Sequence, residues 1–100
     1  MRISFERTGG FMGRTIGLDL DLGDLPPDQA DELRRLVDEA NFLHLQEDFA
    51  PGPARDDYSY RITVETDTIR HTVRVSDSTA PDSLRPLLQE LSKQARSRLR

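Results

Sequence analysis

A strict alternation of apolar and polar residues between positions 14 and 22 limits the possible folds of this sequence more than any other feature. The apolar set is Ile16, Leu18, Leu20 and Leu22, and the polar set is Thr15, Gly17, Asp19 and Asp21. A period of two with one polar side is typical of an antiparallel strand that lies with one face on a core. Residues 2–8 alternate in the same way, with Ile3 and Phe5 on the apolar side. The two segments therefore predict two adjacent strands.

These strands predict a hairpin whose apolar residues share one face. The predicted pairs are Ile3–Leu18, Phe5–Ile16 and Thr8–Gly13. This register leaves Gly9-Gly10-Phe11-Met12 as a four-residue loop at the tip.

A second hairpin is predicted between residues 58 and 75. The inward residues are Tyr58, Tyr60, Ile62 and Val64 on the first strand, and Ile69, His71, Val73 and Val75 on the second. The predicted pairs are Val64–Ile69 and Ile62–His71. The turn is then Thr66-Asp67, which contains no glycine and is expected to be looser than a tight two-residue turn.

One amphipathic helix is predicted after each hairpin. The first has about 14 residues, follows Pro26-Pro27 and ends near Asn41. Its apolar stripe is Ala30, Leu33, Leu36, Val37 and Ala40. The second begins near Ser83, because Pro86 is tolerated only in a first turn. Its apolar stripe is Leu84, Leu87, Leu88, Leu91 and Ala95.

The order of elements is strand, strand, helix, strand, strand, helix. It predicts an α+β fold with a four-stranded antiparallel sheet and both helices packed on one face. We expect residues 1–100 to form a single domain, since the length suits one. Periodicity leaves open whether residues 42–45 are a connector or a short edge strand.

Composition excludes several classes of protein. The chain contains no cysteine, so thiolate metal sites and cysteine nucleophiles are excluded. The net charge of −4 argues against nucleic-acid binding. No apolar run is long enough to span a membrane, and the N-terminus lacks the apolar stretch of a signal peptide. We therefore expect a cytoplasmic protein. We also expect it to be a monomer when free.

The sequence offers no catalytic set. His44 and His71 are the only histidines, and no serine lies in a nucleophile elbow. His71 falls on an inward position, where a hydrogen-bonded core histidine is favoured over a metal ligand, whereas His44 is expected at the surface. We therefore predict neither an enzyme nor a cofactor or metal site.

The glycine-rich segment Gly9-Gly10-Phe11-Met12-Gly13 is the most unusual motif. It leads into a strand and not into a helix N-terminus, so it lacks the dipole that holds phosphate. Phe11 and Met12 could fold back over the end of the core. Alternatively, they could enter an apolar pocket of a protein partner, because such side chains are common interface anchors.

Several motifs, taken in order, resemble the emfourin family of small proteins that inhibit thermolysin-like metalloproteases such as protealysin. They are Met1-Arg2-Ile3, Gly9 to Gly13, Asp24-Leu25-Pro26-Pro27, Tyr60 to Glu65, His71 to Val75, and Pro81-Asp82-Ser83-Leu84-Arg85-Pro86-Leu87-Leu88. The resemblance covers nearly the whole chain. The turn Thr66-Asp67-Thr68 departs from it, because a glycine would be expected there.

The resemblance implies a cytoplasmic inhibitor that binds a thermolysin-like zinc protease tightly and uses no cofactor. The binding residues it points to are Gly9, Gly10, Phe11, Met12 and Gly13. Neighbouring loops such as 46–57 or Thr66–Thr68 would widen the contact. The alternative is a non-catalytic interaction module with a partner that is not a protease.

Overall fold

Four strands and two helices follow one another in the order that the apolar pattern predicts. The computed structural model describes residues 1–9, 14–49 and 58–97. The strands are β1 (Arg2–Gly9), β2 (Arg14–Asp21), β3 (Tyr58–Glu65) and β4 (Arg70–Ser76), and the helices are α1 (Pro27–Glu39) and α2 (Arg85–Ser97). Short 3-10 turns cover Leu22–Asp24, Phe42–His44 and Asp82–Leu84.

The strands form one antiparallel sheet in the order β2-β1-β3-β4. β1 is a central strand, and all of its residues from Arg2 to Gly9 pair with both neighbours. β2 and β3 therefore run parallel to each other on either side of β1, and α1 connects them. The predicted α+β fold is confirmed.

The predicted register of the first hairpin is wrong by two residues. Ile3 pairs with Leu20, Phe5 with Leu18, and Thr8 with Thr15. A shift of two leaves every side chain on its predicted face, so the apolar pattern cannot distinguish the two registers. The pairing continues to Gly9 and Arg14. The connecting residues 10–13 lie outside the described part of the chain.

The second hairpin shows the same two-residue difference. Val64 pairs with His71, and Ile62 pairs with Val73. The turn is closed by Thr66, whose backbone N–H donates to the Ile69 carbonyl over 2.7 Å and whose Oγ1 accepts from the Ile69 N–H over 3.1 Å. Ile69 was predicted to face inward, but this register places it beyond the core, and it is 49% exposed.

The apolar stripes of both helices and the inward residues of the sheet form a single core, as predicted. The sheet contributes Ile3, Phe5, Leu18, Leu20, Tyr60, Ile62, Val64, Val73 and Val75. Leu33, Leu87 and Leu91 from the helices are fully buried against them. Because α1 and α2 share this core, both lie on the same face of the sheet.

The helix boundaries differ slightly from the predicted ones. α1 has 13 residues and ends before Asn41, which adopts a left-handed conformation with φ of 53°. Residues Phe42–His44 form a 3-10 turn and not an edge strand. The second helical segment starts with a 3-10 turn at Asp82, and Pro86 is the second residue of α2.

His71 connects β4 to the segment that contains the 3-10 turn Phe42–His44. Its Nε2 lies 2.7 Å from the carbonyl oxygen of Leu45, and its ring contacts Phe42 edge-on at a centroid distance of 5.8 Å. The predicted hydrogen-bonded histidine on the inward face is confirmed, although the ring is only half-buried. His44 is exposed, as expected.

Candidate functional site

One end of the sheet brings together the segments of greatest functional interest. β1 ends there at Gly9, β2 begins at Arg14, β3 begins at Tyr58 and β4 ends at Ser76. We call this the loop end of the sheet. The predicted binding loop and the segment that precedes β3 both leave the sheet at this end.

Gly9 is the described member of the predicted binding loop. It pairs with Arg14 on one side and Tyr58 on the other, and its φ is 109°. Residues other than glycine rarely adopt this conformation, so glycine is required where the chain leaves the sheet. The two ends of the loop are fixed at the spacing of a strand pair, about 5 Å. Gly10, Phe11, Met12 and Gly13 lie outside the described residues.

A hydrogen-bonded cluster around Asp77 holds the start of β3. The Tyr60 hydroxyl donates to Oδ1 of Asp77 over 2.6 Å, and the Tyr58 N–H donates to Oδ2 over 3.0 Å. The Asp77 N–H in turn donates to the Tyr58 carbonyl over 3.1 Å. Burial, reinforced by the hydrogen bond to Asp77, raises the pKa of Tyr60 well above its usual range.

Arg7 is a charged residue on the helix-covered face of the sheet. It pairs with Ile16 on one side and Tyr60 on the other, and it is half-buried. Its guanidinium lies 4.5 Å from the centre of the Tyr58 ring, a cation–π contact. The Tyr58 and Tyr60 rings are 6.5 Å apart, so Arg7 extends this aromatic cluster to the base of the loop.

The two additional segments predicted to widen the contact lie at different places on the sheet. The turn Thr66–Thr68 follows Glu65, at the far end of β3 from Tyr58. With seven steps along a strand, that is about 23 Å from the loop end. Residues 47–49 lie along the outer edge of β4, where the Phe49 N–H donates to the Arg74 carbonyl over 3.0 Å. Residues 50–57 lie outside the described ranges.

The outer face of the sheet is polar, and its central charges neutralise one another. Arg61 and Arg74 are directly opposite on β3 and β4, which alone would be repulsive. Arg61 pairs with Glu6 at 2.7 Å, and Arg74 pairs with Asp48 at 3.3 Å. This face therefore offers a partner little unpaired charge at its centre.

Among the described residues, no group of three or more histidines and carboxylates is placed to hold a metal ion. The helices in these ranges are also too short or too polar to cross a membrane.

Sequence reasoning did not single out Arg7 or Asp77. A signal for Arg7 was present, because it continues the inward series Ile3 and Phe5 with a charge where the pattern calls for an apolar residue. Asp77 carried no comparable signal. It follows the last residue of β4, and only the register brings it next to Tyr58 and Tyr60.

Comparison with known proteins gives one result. The family model described as Emfourin matches residues 5–92 of the 100-residue chain. This range begins within β1 and ends within α2, so it includes most of β1, the whole of β2, β3, β4 and α1, and more than half of α2. No curated protein and no solved structure gave a significant match.

Proposed function

The chain belongs to the Emfourin family, a family of inhibitors, and from this membership we propose that it inhibits a thermolysin-like zinc metalloprotease. Inhibition occurs by tight protein–protein binding at the active-site cleft. The loop Gly9–Gly13 enters the cleft, and the inhibitor uses no cofactor and performs no catalysis.

The geometry at Gly9 is the observation that carries this proposal. The loop arises from the central strand of the sheet, which is paired on both sides up to its last residue. A loop whose two ends are fixed loses less conformational entropy on binding than the same residues would lose in a flexible segment. Such preorganisation favours inhibition over cleavage, because a constrained loop does not readily relax into the reactive geometry of a substrate.

Phe11 and Met12 are the proposed anchors. Thermolysin-like enzymes prefer a bulky apolar side chain just after the scissile bond, and either residue suits such a pocket. Apolar anchors that fill a central pocket contribute most of the energy of typical interfaces. The segment 46–57 leads into the loop end and is proposed to widen the contact. The turn Thr66–Thr68 is left out of the proposed surface because of its distance along the sheet.

A titration of a purified thermolysin-like protease tests the proposal. Cleavage of a short fluorogenic peptide is followed as the protein is added, and the protein is recovered afterwards to check that it is intact. We expect activity to fall in proportion to the inhibitor added and to reach zero near one equivalent.

Two outcomes would contradict inhibition. Full protease activity at a large molar excess of intact protein would favour the alternative of an interaction module with another partner. Digestion of the protein without loss of activity would make it a substrate.

A further inference from the structure

A groove between the loop end of the sheet and α2 is lined by three arginines. It has a volume of about 390 Å³ and includes Arg7, Arg85 and Arg96, with Asp77 as its acidic member. Basic side chains are thus concentrated here in a chain whose net charge is −4. Such a local excess of positive charge attracts an anionic ligand.

Two of the three arginines have no acidic partner among the residues that the structure describes. Arg85 contacts Oδ1 of Asp82 at 3.3 Å and donates to the Asp77 carbonyl at 3.2 Å. Within the described ranges, neither Arg7 nor Arg96 forms an ion pair. Arg7 contacts the Tyr58 ring instead. A half-buried guanidinium without an ion pair in these ranges can gain a charge-assisted hydrogen bond to a carboxylate of a partner.

The groove is elongated along α2. Arg85, Gln89, Ser92 and Arg96 line it and recur at intervals of three or four residues, so they share one side of the helix. The distance from Arg85 to Arg96 is about 16 Å along the helix axis. This length corresponds to about five residues of extended chain. A single phosphate ion would use only a small part of it.

We infer that this groove binds an extended acidic segment of a protein partner, whose carboxylates pair with Arg7 and Arg96. The identity of the partner rests on the proposed function: if the chain inhibits a protease, the acidic segment lies on the surface of that protease. Arg7 is two residues from Gly9, so a protease bound to the loop would come close to the groove. Arginine suits this role because its planar guanidinium can bind a carboxylate through two hydrogen bonds.

The groove can be tested without a protease. The ¹⁵N-labelled full-length protein is titrated with acetyl-tetraglutamate amide at constant ionic strength, with acetyl-tetraglutamine amide as the neutral control. We expect saturable shifts of the backbone signals of Arg7, Ser92 and Arg96 and of the Arg7 side-chain Nε–H with the acidic peptide alone. Scattered or unsaturable shifts would overturn the inference, as would inorganic phosphate shifting these signals where the peptide does not.

Variants show whether the same groove contributes to inhibition. Arg7→Gln and Arg96→Gln should each raise the inhibition constant by about fivefold or more and weaken its dependence on salt. Arg34→Gln is the matched control, since Arg34 is an exposed arginine of α1 that pairs with Asp31. Arg96 is exposed on a helix, so its variant remains informative if Arg7→Gln does not fold.

The two proposals can fail separately. Intact inhibition together with unchanged constants for Arg7→Gln and Arg96→Gln would overturn the groove and leave the inhibitor function standing. A protein that inhibits no thermolysin-like protease but binds the acidic peptide at Arg7 and Arg96 would overturn the proposed function and leave an acidic-segment site.

Discussion

The hydroxyl of Tyr60 lies 2.6 Å from Oδ1 of Asp77, and this hydrogen bond joins the start of β3 to the residue that follows β4. Asp77 uses its other carboxylate oxygen to accept from the backbone N–H of Tyr58 over 3.0 Å. One carboxylate therefore fixes the backbone and a side chain at the loop end of the sheet. The proposed binding loop starts from the adjacent strand.

Replacing Tyr60 with phenylalanine should destabilise the protein by about 1–2 kcal/mol, because a partly buried hydrogen bond to a carboxylate is lost while the ring remains. Chemical denaturation followed by circular dichroism measures the change. Tyr58→Phe is the matched control, since the Tyr58 hydroxyl has no hydrogen bond within the described part of the chain. Equal losses for the two variants would contradict a specific role of the Tyr60–Asp77 bond.

The raised pKa of Tyr60 predicts a loss of stability at high pH. An unfolded tyrosine ionises at about pH 10, whereas folded Tyr60 keeps its proton to a higher pH. Above that point the unfolded state binds fewer protons than the folded state, so the free energy of unfolding falls as pH rises. Tyr60 makes its full contribution to the free energy of unfolding below about pH 10. This contribution is lost as the pH rises further, with a slope of at most about 1.4 kcal/mol per pH unit.

Unfolding measured between pH 8 and pH 11.5 checks this dependence. The difference between the wild-type protein and Tyr60→Phe isolates Tyr60 from the other groups that titrate in this range. We expect the difference to shrink as pH rises above about 10. A constant difference across the range would mean that Tyr60 ionises as readily when folded as when unfolded.

The faces of the strands were predictable because each inward residue is separated from the next by one polar residue. The register was not predictable from the same pattern, since pairing Phe5 with Ile16 or with Leu18 buries the same face. Turn geometry decides between such registers. In the second hairpin the Oγ1 of Thr66 accepts from the Ile69 N–H, and this local bond favours the register with the longer turn, residues 66–69.

The candidate site was only partly predictable. The glycine-rich loop was identified from its sequence and from the family resemblance, and the structure adds that Gly9 needs its positive φ. The groove at Arg7 was missed because it depends on residues from β1, β3 and α2 that are far apart in the chain. The charge of Arg7 on an inward position and the basic residues near the C-terminus, which include Arg96, were its local signs.

Asn41 provides a test of how α1 ends. Its φ of 53° lies in the left-handed region, which asparagine and glycine tolerate better than other residues. Asn41→Ala should therefore cost about 1 kcal/mol of stability, whereas Asn41→Gly should be nearly neutral. Thermal unfolding of the two variants measures the difference. If both lose the same stability, the asparagine side chain and not the backbone conformation would be responsible.

The proposed inhibitory loop makes the sharpest functional prediction. Phe11→Ala or Met12→Ala should weaken inhibition by about 2 kcal/mol if the residue is an anchor, which raises the inhibition constant roughly thirtyfold. The measurement is the inhibition constant against the thermolysin-like protease used in the titration. The stability of each variant is measured alongside, because a side chain that folds back over the core would lower stability instead.

Ile69→Ala is the matched control for these loop variants. Ile69 is a large apolar residue, 49% exposed, at a hairpin turn on the opposite end of the sheet. Its truncation removes exposed apolar surface without approaching the loop, so the inhibition constant should not change. If Ile69→Ala weakens inhibition and neither loop variant does, the protease contacts the other end of the sheet and the proposed role of Gly9–Gly13 is wrong.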